Sequence, residues 1–376
     1  MIKIILVLNK QFPFLLYYLY YSILNHIYFN YSIQFNMTKK EIFILLKHII
    51  KNKDRKSFTH ISKDLIELKK KNSLNEMRYY FATLMYRRDS GNIHMYVNDS
   101  VLFRILRFNS KQGNWYDVAN KLRFIEKMKE IPNSTPLYLG KIEKGIMYDN
   151  RQNIINIDTK NNFLEAFNNI IGIHKVIFVK SAESSSGKGV FRFNELTPPD
   201  LDKLNLENDY LIEKGLAQHE ALIKINSSCI NTLRVITYNR NGEVKIPSCA
   251  LRMGLNKSHN DNISTGGIFT GYNIEKNKLD EVALDKWGTR YYSHPETHYV
   301  FKDQALPYPE KVISLVKEAA KLFPDRYIIG WDVAYTPIGP VIIEGNTNPC
   351  PFGMQIALRG LRNVKIYDDI YREFYN

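Results

Sequence analysis

The chain has 376 residues, 44% hydrophobic and 24% charged, enough for two or three packed units and at odds with a disordered or fibrous protein. Lys and Arg outnumber Asp and Glu by 52 to 38, a formal charge of +14, which suits nucleotides, nucleic acid, acidic glycans or an anionic membrane surface without choosing among them. Cys229, Cys249 and Cys350 are odd in number, far apart and without metal-type spacing, so they read as reduced thiols of a cytosolic protein.

Residues 11–36 contain no Lys, Arg, Asp or Glu, and their length would permit a membrane span of about 20 residues. The run is also rich in Tyr, holds Asn25, His26 and Asn30, and lacks a small-residue cleavage site. Three readings stand: a membrane anchor, an ordinary apolar helix, and an untranslated upstream extension. Met37 followed by a basic amphipathic stretch favours the last.

From Met37 to about Tyr86, apolar residues at helical spacing among many lysines predict two or three helices. Lys69, Lys70 and Lys71 are most simply a solvated face, with a docking surface for an anionic membrane or polymer as the sharper alternative. Residues 92–109 read as short strands, or a strand and a helix. A helix over 119–131 is stopped by Pro132 and Pro136. Strands follow at 137–142 and 154–157, a helix at 163–171, then an apolar, β-branched strand at 175–182 leading into a Gly/Ser loop. Strands at 191–193 and 210–216 precede an expected antiparallel set at 231–239, 245–254 and 266–275, with Asn241-Gly242 as a hairpin signal. A helix at 309–323 and two strands at 327–336 and 339–349 end the pattern. The class is α+β rather than doubly wound. The expected divisions are an apolar segment 1–36, a smaller, mainly helical region 37–115, and two α+β units over 116–212 and 213–376.

Chemistry concentrates on the last two strands. Asp332 lies mid-strand in GWDVAY, and Glu344 and Asn346 in VIIEGN are two apart, so they project to one face. If the strands pair, the carboxylates meet; hard oxygen ligands of this kind suit magnesium with substrate phosphates. Solvated polar residues are the bland alternative, and the apolar neighbours of these strands argue against it. In VKSAESSSGKGV, Lys180 ends a buried strand before Ser184, Ser185, Ser186, Gly187 and Gly189. A lysine there suits phosphates and the loop can offer backbone N–H groups, although the P-loop pattern is absent. In LIEKGLAQHEAL, Glu213 and Lys214 close a strand and can face an adenine; His219 is placed for a ribose, but a lone histidine is more often structural. Arg234 and Arg252 on neighbouring strands have forks that match carboxylate or phosphoryl oxygens; salt bridges to Asp332 or Glu344 are the alternative. Asp261 and Asn262 precede a Gly pair in a loop able to approach a phosphate. Aromatic interleaving, zinc spacing and helix-turn-helix patterns are missing, which argues against nucleic acid.

The order of these motifs resembles the ATP-grasp superfamily: a lysine opening a helix (Lys121), a lysine before a Gly-rich loop (Lys180), a Glu-Lys hinge, strand arginines, then Asp and Glu-x-Asn on closing strands. EKGLAQH resembles the adenine-side hinge of biotin-carboxylase-type members, which implies Glu213, Lys214 and Leu216 beside the base. NTLRVIT, LRMG, DNISTGG and GWDVAYTPIGPVIIEGN are similar to the sugar-transfer-associated branch, teichuronopeptide-biosynthesis-like proteins found with capsule and exopolysaccharide enzymes. ESSSGKG departs from it, with serines where many relatives carry more glycines. The resemblance implies an ATP-grasp fold in which two α+β subdomains, a lid (116–212) and a metal-bearing C-terminal one (213–376), clasp ATP. It implies ATP and Mg2+ as cofactors, Asp332, Glu344 and Asn346 as metal ligands, and Arg234 and Arg252 as catalytic residues. It further implies a ligase that joins a carboxylate to an amine or glycan acceptor through an acyl phosphate. A phosphotransferase or a non-catalytic nucleotide-binding module of a glycan-assembly system remain alternatives. The implied setting is cytoplasmic, with association to an anionic membrane or to glycan-assembly enzymes if residues 1–36 are present.

Overall fold

The computed structural model describes residues 49–50, 52–71, 80–81, 83–97, 114–155, 157, 159–184, 189–347, 349 and 351–375. The apolar run 11–36, most of 92–109 beyond Val97, the tip of the serine-rich loop (185–188), Cys350 and the side chains of Lys69, Lys70 and Lys71 lie outside these residues. In chain order, α1 (Phe58–Lys71) is followed by a 3-10 turn at Ile93–Met95, where short strands, or a strand and a helix, were expected. Asn92 explains the turn, since its side chain accepts the His94 N–H and caps it. One helical turn at Tyr116–Ala119 leads to α2 (Lys121–Met128), then β1 (Tyr138–Glu143), β2 (Ile146–Asp149), β3 (Ile154–Ile155), α3 (Lys160–His174), β4 (Ile177–Ser181), β5 (Val190–Phe193) and β6 (Tyr210–Lys214). Next come α4 (Glu220–Ile225), β7 (Thr232–Arg240), β8 (Glu243–Met253), β9 (Ile268–Asn273), the short β10 (Lys278–Leu279), β11 (Ala283–Leu284) and β12 (Arg290–Tyr291). The chain finishes with α5 (Pro309–Lys321), β13 (Ile328–Thr336), β14 (Gly339–Asn346), α6 (Pro351–Leu358) and α7 (Lys365–Tyr375).

Two compact units result, 106–350 and a second formed by 1–105 with 351–376. The C-terminal helices therefore group with the N-terminal region, whereas the sequence suggested one subdomain from 213 to 376. Gln355 shows why: its side chain accepts the Val97 N–H at 2.7 Å and donates to the Val97 carbonyl at 3.0 Å. Within this unit Ile61, Leu68, Tyr80, Phe81, Leu84 and Met85 form a core, and buried Asp64 accepts from Lys56 Nζ and the Tyr80 hydroxyl. Among the described residues no helix is long and apolar enough to cross a membrane.

The larger unit contains two antiparallel sheets. The first has six strands in the order β3-β2-β1-β6-β4-β5; β2 was not foreseen. Phe163, Phe167 and Ile171 of α3 recur every fourth residue and pack with Ile177, Val179 and Ile212 of this sheet, the burial of each side chain contributing about 1.5–3 kcal/mol. Thr159 starts the helix by accepting the Asn162 N–H. The second sheet runs β12-β11-β9-β8-β7-β13-β14, with β10 beside β9. Val312, Leu315, Val316, Ala319 and Ala320 of α5 form one apolar stripe in its core, and Pro309 begins that helix. Phe124, Phe323 and Trp331 share this core, and Trp331 Nε1 donates to Thr237 Oγ1 at 2.8 Å.

Candidate active site

Alternation along the central strands of the second sheet separates a core face from a polar one. Leu233, Val235, Leu251, Met253, Trp331, Val333 and Ile342 belong to the core, so Arg234, Arg252 and Asp332, each offset by one, face the other way. Glu344 is two residues from buried Ile342 and by simple alternation would join it in the core. A β-bulge reverses the phase: Asp332 pairs with Glu344 while Val333 pairs with Ile342, skipping Ile343. Gly345 then turns inward, where a Cβ would stand 2.8 Å from Val118 Cγ1 and 3.3 Å from the Trp331 ring. Glycine between Glu344 and Asn346 is thus a packing requirement.

Asp332 is 3% exposed and receives three donors: Arg234 Nε at 2.5 Å, Arg234 Nη2 at 3.1 Å and Arg252 Nη2 at 3.0 Å. Both arginines therefore sit in ion pairs with Asp332, the geometry of the salt-bridge alternative. Glu344 stands directly across from Asp332 in the strand pairing, and Asn346 Nδ2 lies 3.4 Å from Glu344 Oε1 and from the Gly330 carbonyl. Burial opposes the charge on Asp332, but Arg234 and Arg252 outweigh it and hold its carboxyl below the usual range. Burial and then the Asp332 charge push the Glu344 carboxyl up. Two adjacent carboxyls whose affinities for a proton are driven apart in this way, with the Asn346 side chain beside them, are a pair whose repulsion a divalent cation relieves, so the residues fit magnesium held jointly with phosphates. Among the described residues no cluster of three His, Cys, Asp or Glu forms a fuller cage.

Lys180 on β4 and Glu213 on neighbouring β6 form a buried ion pair, Nζ to Oε2 at 2.5 Å. Among the described residues, neither Glu213 oxygen receives a hydrogen bond although the residue is 1% exposed. Such a carboxylate has acceptor capacity left for an amino donor such as that of adenine. Lys121 opens α2, whose N-cap Asn120 accepts the N–H groups of Leu122 and Arg123. Its Nζ donates to the carbonyls of Ser181 at 3.0 Å and Ser184 at 2.6 Å. Burial lowers the Lys121 pKa, with Glu344 opposing and Lys180 adding to the shift.

Ser184 and Gly189 frame the loop base, where the Gly189 carbonyl accepts the Ser181 N–H at 2.8 Å; Ser185, Ser186 and Gly187 are outside the described residues. Lys214 is exposed at the end of β6, and Leu216 is half-buried just beyond it. His219 caps α4, accepting the Ala221 N–H on Nδ1 at 3.1 Å with its ring edge-on to Tyr308. That is the structural role which competes with a ribose contact. Asn262 caps a 3-10 turn, and its carbonyl accepts the Thr265 and Gly267 N–H groups. Sequence reasoning missed Thr232 and the inward reach of Asp261, which bind Arg252. It also missed the Tyr116 hydroxyl, which donates to Glu183 at the loop base. The Asp-Asn pair before Gly266-Gly267 was the one available signal for Asp261.

Residues 201–366 match the family described as sugar-transfer associated ATP-grasp. No curated protein matches the chain. Among solved structures, D-alanyl-alanine synthetase A from Vibrio cholerae is similar at 15% identity and TM-score 0.40, over 69% of this chain and 66% of that one. L-amino acid ligase from Bacillus licheniformis is similar at 9% identity and TM-score 0.36, over 66% and 48%. D-alanine-D-alanine ligase from Coxiella burnetii is similar at 10% identity and TM-score 0.35, over 69% and 62%. The matched part thus spans less than two thirds of each of these proteins.

Proposed function

We propose, from the premise that residues 201–366 belong to the sugar-transfer-associated ATP-grasp family, that this protein is an ATP- and magnesium-dependent carboxylate–amine ligase. Its acceptor is a cell-surface polysaccharide or a precursor of one, in keeping with the family description and the excess of basic residues. The observation that carries the reading is the meeting of Asp332, Glu344 and Asn346 on one sheet face beside Arg234 and Arg252. Magnesium, when bound, supplies positive charge against the polyphosphate, and Asp332, Glu344 and Asn346 are the side chains that would hold it. Glu213 accepts from the adenine amino group, and Lys180 and Lys121 bind phosphate oxygens. Arg234 and Arg252 hold the carboxylate and the phosphoryl oxygens as charge moves between them. The carboxylate oxygen takes the γ-phosphoryl group and ADP departs; the amine then attacks the acyl carbon, phosphate leaves, and the amine gives up a proton. The setting is the cytosol, with membrane association through residues 1–36 where these are present.

Mass spectrometry after incubation with ATP, magnesium and glycan precursors bearing carboxylates or amines tests this reading. A ligase yields ADP, free phosphate and an acceptor heavier by the joined acid. Phosphate retained on the acceptor instead identifies a phosphotransferase, and no ATP turnover with any acceptor identifies a non-catalytic module.

A further inference from the structure

The two arginines of the site are not held alike. Among the described residues, the side-chain hydrogen bonds of Arg234 go to Asp332 alone. Arg252 donates to Asp332 through Nη2, and also places Nε and Nη2 on Thr232 Oγ1 at 3.1 and 2.8 Å and Nη2 near Asp261 Oδ1 at 3.3 Å. The Thr232 hydroxyl donates its proton to Asp261 Oδ2, which also accepts the Thr232 N–H at 2.9 Å. With that proton committed, the lone pairs of Thr232 are left for the guanidinium. Asp261 is buried, and it comes from the loop joining β8 to β9 rather than from a strand. A Cβ on Gly267 would stand 2.6 Å from the Asp261 carbonyl and 2.8 Å from that of Met253, so glycine there lets the loop close tightly enough for the carboxylate to reach β7.

We infer that Asp261, acting through Thr232, is a positioning residue that holds Arg252 in place independently of Asp332. The inference rests on the ligase reading above. Asp332 belongs to the candidate cation site, so an arginine anchored only there has no fixed position once that carboxylate is engaged. The second anchor keeps Arg252 oriented towards the transferred phosphoryl group, while Arg234 is the arginine released to follow the substrate. The two residues thereby divide between a fixed and a mobile anion contact.

The test uses inorganic phosphate titrated calorimetrically into the full chain saturated with magnesium and ADP, with ADP affinity measured separately. Thr232→Val removes the hydroxyl at nearly constant volume and should weaken phosphate binding about 10- to 100-fold, the loss expected for a hydrogen bond to a charged group. ADP affinity should stay within about twofold, since the charge-bearing nucleotide contacts are elsewhere. Thr232→Ser should restore phosphate binding, and Asp261→Asn should weaken it. Unchanged phosphate binding in Thr232→Val, failure of serine to restore it, or a parallel loss of ADP binding overturns the inference and leaves the ligase reading intact. Absence of phosphate binding by the wild-type ADP complex overturns both.

Discussion

Replacing Asp332 by Asn preserves shape and removes one negative charge from beneath two guanidinium groups. Breaking a buried, hydrogen-bonded pair by removing one partner costs about 3–5 kcal/mol. Two features of the site favour the lower end. Arg252 keeps Asp261 and Thr232, and Glu344, freed from the charge of Asp332 that pushes its pKa up, ionises more readily beside Arg234. A loss of about 3 kcal/mol, at about 2–4 °C per kcal/mol for a domain of this size, lowers Tm by about 6–12 °C. Differential scanning calorimetry of the metal-free protein near neutral pH measures it, and magnesium-dependent ATP turnover should disappear in the same variant. The sign with pH follows from the lowered pKa. The contribution of Asp332 is complete above the usual carboxylate range and is lost as pH falls below that range and through its lowered folded value. The gap between wild type and variant should therefore widen from neutral into mildly acidic solution, because protonation of Glu344 there relieves wild type of a cost the variant no longer carries, and should close only when Asp332 itself protonates. A variant as stable as wild type that still turns over ATP with magnesium would refute both the charge balance and the cation assignment.

Glu344→Gln should behave oppositely in stability. Its carboxyl is pushed up by burial and by Asp332, so it costs stability as pH rises from its unfolded pKa through its folded one. The amide should raise Tm at neutral pH, with the advantage vanishing in acid, and should abolish magnesium-dependent turnover; a larger loss of Tm at neutral pH than in acid contradicts this. Lys180→Met leaves buried Glu213 without its ion partner and should cost about 3–5 kcal/mol along with nucleotide affinity. Adding Glu213→Gln should recover most of the stability by denaturant melting while nucleotide binding stays weak; recovery of both would deny Lys180 a phosphate role. Gly345→Ala brings a methyl group within 2.8 Å of Val118 Cγ1 and should destabilise by about 1–3 kcal/mol, a figure checked by chemical denaturation.

The longer strands and helices between residues 119 and 346 were legible because burial imposes a period on them, whereas α4 and the C-terminal α7 were not foreseen. The fourfold spacing of Phe163, Phe167 and Ile171, and the apolar runs around Lys180, Asp332 and Glu344, reveal local conformation because each element must hide one face. Short elements with little burial were not legible: β2 was missed, and the turn at Ile93–Met95 depends on one side-chain cap. The kinds of side chain at the candidate site were also visible in advance, since acids and arginines inside apolar strands are costly without partners.

Alone, then, the order of residues determined most of the strands of the larger unit, the buried acids and the basic groups available to anions. Which of these groups touch was decided by tertiary structure. The bulge that turns Glu344 towards Asp332, the sheet register that sets Arg234 opposite Asp332, and the loop closure that brings Asp261 to Thr232 all depend on pairings between distant segments. Periodicity reports only which face a residue takes along its own strand; it carries no information about a phase shift imposed by a neighbour or about the reach of a loop.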